Sequence, residues 1–352
     1  MDYGPHVNAT PLDGVDLLLS DLDGVIYAGA EPIPHAIESI NRAQASRTIG
    51  YLTNNASRTD AEAAQQLTGL GLHVRREEIV TSPQIAAVLL ASHVAPGATV
   101  LVVGGDGLTA ELERSGFIVT RSAADAPAAV VQGFHHTVGW THLAEASYVL
   151  GRDAALPWIA TNTDRTIPQS HGVAPGNGTL VAAVQAATGR EPIVAGKPER
   201  AIYDTAVARL GGVRPLFVGD RLDTDVLGAN SAGIDSALVL TGIHGPAQVL
   251  AAEPTSRPRY ILTDLRDLFE PYPEPVVEVE PRAVRAVSGG AEAVVEAGRM
   301  RMQREGSPIE SLRAVAAALW ASESHGSTIR DETGLDLLSE RAIPAKRVGL
   351  DT

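Results

Sequence analysis

The stretch VDLLLSDLDGVIYAG (residues 15–29) sets two carboxylates, Asp21 and Asp23, directly after a short apolar run. A short run rich in Val and Leu that is bounded by polar residues and Gly predicts a buried β-strand. Two carboxylates this close repel each other unless one binds a proton or a cation lies between them. The stretch therefore predicts a strand whose carboxyl end receives a positively charged partner.

The composition is that of a globular protein. The chain has 352 residues, of which 44% are hydrophobic and 20% are charged. This length predicts two or three domains with a substantial core. The formal net charge of −14 argues against nucleic acid as a partner.

Two further absences in the sequence limit the location of the protein. No apolar run reaches the roughly 18 residues of a membrane span, and residues 1–14 lack the basic start and apolar core of a signal peptide. We therefore expect no membrane insertion. The chain contains no cysteine, which excludes disulfide bonds and thiolate chemistry and favours a cytoplasmic protein.

Short β-branched runs alternate with Ala-rich stretches along most of the chain. This alternation predicts an α/β fold with a doubly wound parallel sheet. Nine strands are more than one small sheet needs, so a second α/β unit is expected. The predicted strands are residues 15–20, 48–53, 98–104, 128–133, 157–161, 192–196, 215–220, 236–241 and 259–263, and helices are expected near 60–70, 83–93, 179–188, 198–210 and 225–232.

Four of these strands are followed directly by polar or charged side chains. Ligands of open α/β sheets bind beyond the carboxyl ends of the strands, so these side chains are expected to form one site. A lone Asp-x-Asp pair is common in solvated turns, and Asp220 alone could cap a helix. The four groups together favour a functional site: Asp21 and Asp23; Thr53, Asn54 and Asn55; Lys197; and Asp220 with Asp225.

Lysine is rare in this chain. Of 28 basic residues only Lys197 and Lys346 are lysines, and the others are arginines. An ammonium group is a compact point charge, whereas a guanidinium is a planar fork. The lysine at a strand end therefore indicates a crowded site that needs a compact positive charge.

The four groups resemble the four motifs of the haloacid dehalogenase (HAD) superfamily. DLDGVIY (21–27) resembles the first motif, LTNNASR (52–58) the second, GKP (196–198) the third and GDRLDTD (219–225) the fourth. The TNN and GDxxxTD forms are similar to the class IIA branch, which inserts a large αβ cap domain. The resemblance implies a HAD core at residues 1–82 and 189–272, a cap at 83–188 and a C-terminal extension at 273–352.

The resemblance also implies the chemistry. Asp21 would be the nucleophile that forms an aspartyl phosphate, and Asp23 would be the general acid and base. Mg²⁺ would be held by Asp21, Asp220, the backbone carbonyl of Asp23 and, from behind, Asp225. Phosphate-binding or substrate-binding roles would fall to Thr53, Asn54, Asn55, Lys197, Asn162 and Asp164.

The expected activity is that of a Mg²⁺-dependent phosphomonoesterase, with glycerol 3-phosphate as the expected substrate. Phosphoglycolate, nitrophenyl phosphate, pyridoxal phosphate and nucleotide monophosphates are alternatives. A non-catalytic phosphometabolite sensor is a second class of function, although both Asp21 and Asp23 are present. A nucleotide-sugar transferase would leave Lys197 and the GDRLDTD stretch unexplained.

Two regions depart from the family pattern or lie outside it. His135 and His136 replace an acidic residue that is usual at this position of the cap, and either could contact an anionic substrate or lie idle at the surface. Residues 273–352 are expected to form a small α/β or helical appendage, with helices near 290–304 and 309–323. The appendage could pack on the core or on a partner subunit in a homo-oligomer.

Overall fold

The computed structural model describes residues 9–169 and 172–325, so Lys346 and the end of the predicted extension lie outside the described residues. The strands are β1 (Leu17–Ser20), β2 (Tyr27–Ala28), β3 (Glu31–Pro32), β4 (Thr48–Thr53), β5 (Ile79–Thr81), β6 (Thr99–Val103), β7 (Ile118–Thr120), β8 (Val130–Gln132), β9 (Trp158–Ala160), β10 (Thr166–Gln169), β11 (Gly172–Pro175), β12 (Ile193–Val194), β13 (Pro215–Gly219), β14 (Asp235–Val239), β15 (Tyr260–Leu262), β16 (Val276–Val279), β17 (Ala283–Ser288), β18 (Ala291–Glu296) and β19 (Arg299–Arg304).

The α-helices alternate with these strands as the sequence predicts. They are α1 (Ala36–Gln44), α2 (Asp60–Gly69), α3 (Ser82–Ala91), α4 (Asp106–Arg114), α5 (Trp140–Leu150), α6 (Asn177–Thr188), α7 (Arg200–Leu210), α8 (Leu227–Ala232), α9 (Pro246–Leu250) and α10 (Pro308–Ser324). The start of α2 shows why a helix begins where it does. The Thr59 side chain accepts a hydrogen bond from the Glu62 amide, and the Glu62 carboxylate accepts one from the Thr59 amide, so both exposed donors are satisfied.

The chain folds into two compact units. The first contains residues 9–47 and 213–325, and the second contains residues 48–212. In the first unit, β1 pairs in parallel with β13, β13 with β14 and β14 with β15. Leu17, Leu18 and Leu19 of β1 are fully buried, which explains the apolar run that opens the sequence.

The second unit contains the parallel pair β4–β5 and a five-stranded parallel sheet in the order β12-β9-β8-β6-β7. Helices α5 and α6 cover one face of this sheet through a cluster that includes Val130, Trp158, Val149 and Val184. The short strand β12, three residues before Lys197, pairs with β9 in this sheet. The α/β fold class is confirmed, and the boundaries at residues 82, 188 and 272 stay a prediction.

The C-terminal residues of the first unit form a four-stranded antiparallel sheet, in the order β16-β17-β18-β19, and helix α10. The predicted helix near 309–323 is confirmed as α10, but the predicted helix near 290–304 is wrong, because these residues form β18 and β19. Met300 is buried between exposed Arg299 and Arg301, which is the period of two of a strand. Ala297 and Gly298 both have positive φ values, which suits a tight hairpin.

The apolar stripe of α10 packs inside the first unit. Leu312, Val315 and Leu319 share one buried cluster with Leu238 of β14 and Ile261 of β15. The appendage thus contributes to the core beside the parallel sheet. Among the described residues, no helix is both long and apolar enough to cross a membrane.

Candidate active site

The first site residue follows β1 directly. The Asp21 amide donates to the Val218 carbonyl (2.9 Å), which extends the parallel pairing of β1 and β13 by one residue. One carboxylate oxygen of Asp21 accepts a hydrogen bond from the Leu22 amide at 2.7 Å. Pairing with β13 and this turn together fix the direction of the Asp21 carboxylate.

Asp220 and Asp225 lie on the loop that follows β13. The Asp225 carboxylate accepts hydrogen bonds from the Asp220 and Arg221 amides, both at 3.1 Å. A wide helical turn over Leu222–Val226 places Asp225 beneath the loop. The Asp220 carboxylate accepts a bond from the Ile243 amide at 2.7 Å, in the loop after β14. Asp225 therefore shapes the loop that presents Asp220.

Asp21, Asp220 and Asp225 form a cluster in which one carboxylate oxygen from each lies within 4.8 Å of the others. The three side chains are almost completely buried, with exposed fractions of 7%, 1% and 0%. Like charges at this separation repel strongly where water is excluded. A divalent cation offsets this repulsion, and an oxygen-only ligand set matches Mg²⁺. The residues present therefore fit the predicted metal.

Gly24 allows the first motif to pass close to Asp220. It has φ +84°, in the left-handed region, and a Cβ atom there would lie 2.4 Å from a carboxylate oxygen of Asp220. Any other residue would be strained at this φ and would displace Asp220. The glycine of the DLDG stretch thus keeps space beside a carboxylate of the cluster.

Asp23 differs from the other three aspartates. Its side chain is exposed, and its carboxylate accepts a hydrogen bond from the Tyr27 hydroxyl at 3.4 Å. The side chain of Asp23 is not one of the three that form the carboxylate cluster. An exposed carboxylate two residues from Asp21 can exchange protons with water and with a bound molecule. Its predicted role as general acid and base stays a prediction.

His244 supports the loop of Asp220 from the side of β14. Its Nδ1 accepts a hydrogen bond from the Leu222 amide at 2.8 Å, and its amide donates to the Asp220 carbonyl. Burial lowers the pKa of His244 below the usual value, which keeps the ring neutral and Nδ1 able to accept. His244 is therefore a neutral support for the loop.

The second unit holds the other predicted residues, beginning at the end of β4. Thr53 is buried and its hydroxyl accepts a hydrogen bond from the Asn55 amide at 3.1 Å. The Asn55 side-chain oxygen accepts bonds from the amide and the hydroxyl of Ser57, at 2.9 and 2.6 Å. These bonds form a tight turn directly after the strand.

Asn54 binds the backbone of Lys197 at two points. Its side-chain oxygen accepts from the Lys197 amide at 2.8 Å, and its side-chain nitrogen donates to the Lys197 carbonyl at 3.0 Å. Gly196 leaves room for this approach, since a Cβ there would lie 2.3 Å from the Asn54 oxygen. Lys197 itself is 3% exposed. The second and third motifs are thus joined through one carboxamide.

The two predicted residues that follow β9 also bind Asn54. The Asn162 side chain donates to the Asn54 carbonyl at 2.8 Å. The Asn54 side chain donates to the Asp164 carboxylate at 3.1 Å. The structure therefore brings together Asn54, Lys197, Asn162 and Asp164 in the second unit, and Asp21, Asp220 and Asp225 in the first. Their assignment to phosphate or substrate binding stays a prediction.

The two adjacent histidines of the second unit, His135 and His136, form a tilted ring pair. Their ring centroids are 4.2 Å apart, and Nδ1 of His135 lies 2.7 Å from the Thr137 hydroxyl. His135 is half-buried against Gly105, whereas His136 is exposed. A substrate contact for either ring stays open.

Sequence reasoning missed two residues that support this cluster. The Ser82 hydroxyl donates to the Asn54 carbonyl at 2.9 Å, and the Asn177 side chain donates to the Asn162 carbonyl at 2.7 Å. Ser82 follows the β-branched run IVT (79–81), which is the signal of strand β5. Asn177 opens α6 in the turn PGNG, where a polar residue before an apolar helix resembles an ordinary helix start.

Comparison with known families matches two parts of the chain. The family of haloacid dehalogenase-like hydrolases matches residues 18–118, and a second HAD hydrolase-like family matches residues 194–268. These segments contain all four sequence motifs.

Comparison with individual proteins gives matches over most of the chain. The chain is 43% identical to D-glycerol 3-phosphate phosphatase of Mycobacterium tuberculosis over 323 residues, covering 91% of this chain and 90% of that protein. It is 35% identical to human chronophin, covering 72% of this chain and 92% of that protein. It is also similar to the crystal structure of a glycerol phosphate phosphatase from M. tuberculosis in complex with magnesium. That structure has a TM-score of 0.78 and 39% identity, and the match covers 94% of this chain and 98% of that one.

Proposed function

Because the chain belongs to the haloacid dehalogenase-like hydrolase family, we propose that Asp21 attacks the phosphorus atom of a small phosphomonoester. The enzyme is a Mg²⁺-dependent phosphomonoesterase. A bond forms between an Asp21 oxygen and phosphorus while the bond from phosphorus to the alcohol oxygen breaks. Asp23 gives a proton to the departing alkoxide. This covalent route divides one difficult displacement into two easier steps.

The second step returns the enzyme to its starting state. Asp23, now a carboxylate, takes a proton from a water molecule, whose oxygen attacks the phosphorus atom. The bond from phosphorus to Asp21 breaks and inorganic phosphate is released. Asp23 is exposed and accepts a long hydrogen bond from the Tyr27 hydroxyl, and its exposure suits a group that gains and loses a proton.

The observation that carries the proposal is the buried carboxylate cluster of Asp21, Asp220 and Asp225. Asp21 and Asp220 would hold Mg²⁺ with the backbone carbonyl of Asp23, and Asp225 would fix Asp220 from behind. When bound, Mg²⁺ supplies the positive charge that allows an anionic carboxylate to approach an anionic phosphate. The magnesium-bound relative supports this assignment.

By the family resemblance, residues of the second unit would supply the remaining charge and hydrogen bonds of the reaction. Lys197 would offset the charge of the phosphoryl group and the nucleophile, and its compact ammonium suits a buried position. Thr53 and Asn55 would bind phosphate oxygens from the turn after β4. Asn162 and Asp164 would contact the substrate.

The proposed substrate is glycerol 3-phosphate. The M. tuberculosis relative is a phosphatase of this ester by name, and it matches 91% of this chain, a share that must include part of the C-terminal extension. Contacts to an alcohol often separate close analogues by only about 1–3 kcal/mol, so slower turnover of other small esters is expected. A homo-oligomer and a cytoplasmic location stay predictions.

The test is phosphate release from a panel of esters by the full chain with Mg²⁺. We expect glycerol 3-phosphate to have the highest kcat/KM, and chelation of Mg²⁺ to abolish turnover of every ester. Phosphoglycolate or a nucleotide monophosphate with a kcat/KM at least about tenfold higher would overturn the substrate assignment alone. Full turnover after chelation would overturn the proposed chemistry.

A paired substitution checks the nucleophile. Asp21→Asn should lower kcat by roughly 10⁴-fold or more, because loss of a covalent nucleophile leaves only binding and electrostatics. Asp16→Asn is the control, since the Asp16 carboxylate binds the Val213 and Arg214 amides and stands outside the carboxylate cluster. The control should retain turnover. Turnover of Asp21→Asn close to that of the wild type would contradict the assignment.

A further inference from the structure

Asn54 lies at the meeting point of four segments of the second unit. Its side chain binds the Lys197 amide and carbonyl, at 2.8 and 3.0 Å, and the Asp164 carboxylate, at 3.1 Å. Its own backbone carbonyl accepts bonds from the Ser82 hydroxyl and the Asn162 side chain. Asn54 therefore connects the ends of β4, β9 and β12 and the start of α3.

We propose that Asn54 is a positioning residue that holds Lys197 for the reaction, rather than a ligand of the phosphate. The inference deepens the proposed function and depends on the charge role given there to Lys197. The side-chain oxygen and nitrogen of Asn54 are both committed to the backbone of Lys197. A carboxamide that fixes both the amide and the carbonyl of one residue fixes the point from which its side chain extends.

The neighbouring contacts make this arrangement rigid. Gly196 has no side chain, and a Cβ there would lie 2.3 Å from the Asn54 oxygen and 2.5 Å from the Thr161 carbonyl. The Gly196 amide donates to that same Thr161 carbonyl at 2.8 Å. The glycine before Lys197 is thus required for Asn54 to approach. Asn54 and Lys197 are 143 residues apart, so these bonds also join distant parts of the chain.

The same bonds connect Lys197 to the segment after β9. Asn162 binds the Asn54 carbonyl and is held in turn by Asn177 at the start of α6, at 2.7 Å. Asn162 and Asn177 are 4% and 1% exposed, so these amides form a buried chain. Both polar atoms of the Asn162 side chain are hydrogen-bonded, to the Asn54 carbonyl and the Asp164 amide, and bonded buried groups rigidify their surroundings, whereas the Asn177 side-chain oxygen has no partner among the described residues. A displacement of the segment at 162–164 would therefore reach Lys197 through Asn54.

The test is a double-mutant cycle with Asn54→Leu and Lys197→Ala in the full-length enzyme. Asn54→Leu alone should lower kcat by about 100-fold, because small misplacements of a catalytic group have effects of this size. In the Lys197→Ala background the same substitution should lower kcat by less than about threefold, since residues that act as one unit are not additive. KM for glycerol 3-phosphate should change less than kcat.

Three outcomes would overturn the inference. Asn54→Leu could keep kcat within about threefold of the wild type, or it could lower kcat equally in both backgrounds, which would make Asn54 a phosphate ligand. Finally, the loss of kcat in the Asn54→Leu variant could be fully explained by a smaller fraction of folded enzyme. If Asn54→Leu does not fold, Asn54→Ser replaces it in the same cycle.

Asn230→Leu is the matched control. The Asn230 side chain likewise binds two backbone carbonyls, those of Thr255 and Arg257, both at 3.0 Å, but in the first unit. It should lower the melting temperature without changing kcat of the folded enzyme.

The outcome for Lys197→Ala separates the positioning role of Asn54 from the proposed role of Lys197. If that variant keeps wild-type kcat, the proposed role of Lys197 fails, whereas a large loss together with an active Asn54→Leu variant refutes only the positioning role.

Discussion

At the scale of single residues, Lys197 carries the clearest requirement for one side-chain type. It is 3% exposed in a chain that otherwise uses arginine almost throughout. Lys197→Arg keeps the charge but places a planar fork in a buried position, so we expect kcat to fall by at least about tenfold. Phosphate release from glycerol 3-phosphate measures the change.

Arg200→Lys is the reciprocal control for the Lys197→Arg variant. Arg200 is exposed and pairs only weakly with Asp204 on the same helix, at 2.9 Å, so the exchange should leave kcat within about twofold. If Lys197→Arg also keeps kcat within about twofold of the wild type, the rarity of lysine in the chain does not indicate a need for lysine at this position.

The sequence predicts which residues stand at the strand ends, but not how they bind one another. Asp21, Lys197 and Asp220 follow apolar runs that are recognisable locally. The bonds of Asn54 to Lys197 and Asp164 join residues 143 and 110 positions apart. No local pattern specifies such pairs. The phosphate-binding role of Asn54 stays a prediction, and only the structure shows that the Asn54 side chain binds the backbone of Lys197.

At the scale of elements, helix α4 carries the half-buried carboxyl of Glu111, which forms an ion pair with Arg114 on the same helix. Burial and the nearby Asp60 raise the pKa of Glu111, against the attraction of Arg76 and Arg209. The folded chain then holds the Glu111 proton more tightly than the unfolded chain does. This contribution to stability is present at acidic pH and is lost as the pH rises from the unfolded pKa through the folded one.

Glu111→Gln removes the ionisation and should raise the melting temperature near neutral pH. The gain should shrink towards zero below about pH 4, where the wild-type carboxyl is protonated in both states. Thermal unfolding across this pH range is the measurement. Glu113→Gln, at an exposed position of the same helix, should change the melting temperature less. A pH-independent gain for Glu111→Gln would contradict the assignment to ionisation.

Strand length does not separate the strands that the sequence reveals from those it misses. The nine predicted strands are all present, and several are as short as the missed strands β5 and β7: β8, β9 and β15 have three residues each and β12 has two. Both missed strands have the sequence IVT, at 79–81 and at 118–120, and a run of three residues cannot show a period. The sequence predicts a helix near 290–304 because Ala, Glu, Arg and Met favour helices. These residues form strands β18 and β19 instead, and in β19 the burial of Met300 between two exposed arginines outweighs the helix preference.

At the scale of the whole chain, the C-terminal appendage completes the core of the first unit. Leu312 of α10 is fully buried in a cluster with residues of β14 and β15. Leu312→Ala should lower the free energy of unfolding by about 2–5 kcal/mol through the cavity it leaves. Denaturant titration measures the change.

Leu312 carries no polar group of the proposed site, which gives a second expectation, although its buried cluster includes Leu222 of the fourth motif. At temperatures where the Leu312→Ala variant is folded, its kcat should stay within about twofold of the wild type. Val276→Ala is the control for stability, because Val276 is 61% exposed on β16 and should change the free energy of unfolding by no more than about 0.5 kcal/mol. An unchanged stability of Leu312→Ala would show that α10 is not part of the core.

In the proposed mechanism, Asp21 becomes an aspartyl phosphate during turnover. Wild-type enzyme that turns over glycerol 3-phosphate with Mg²⁺ is quenched in acid and treated with borohydride, which reduces an acyl phosphate to the corresponding alcohol. Peptide mass spectrometry then locates the reduced residue. If Asp21 is the nucleophile, we expect homoserine at position 21 only when both substrate and Mg²⁺ are present. Rapid turnover with no reduced residue at position 21, or with the reduced residue at another aspartate, would contradict it.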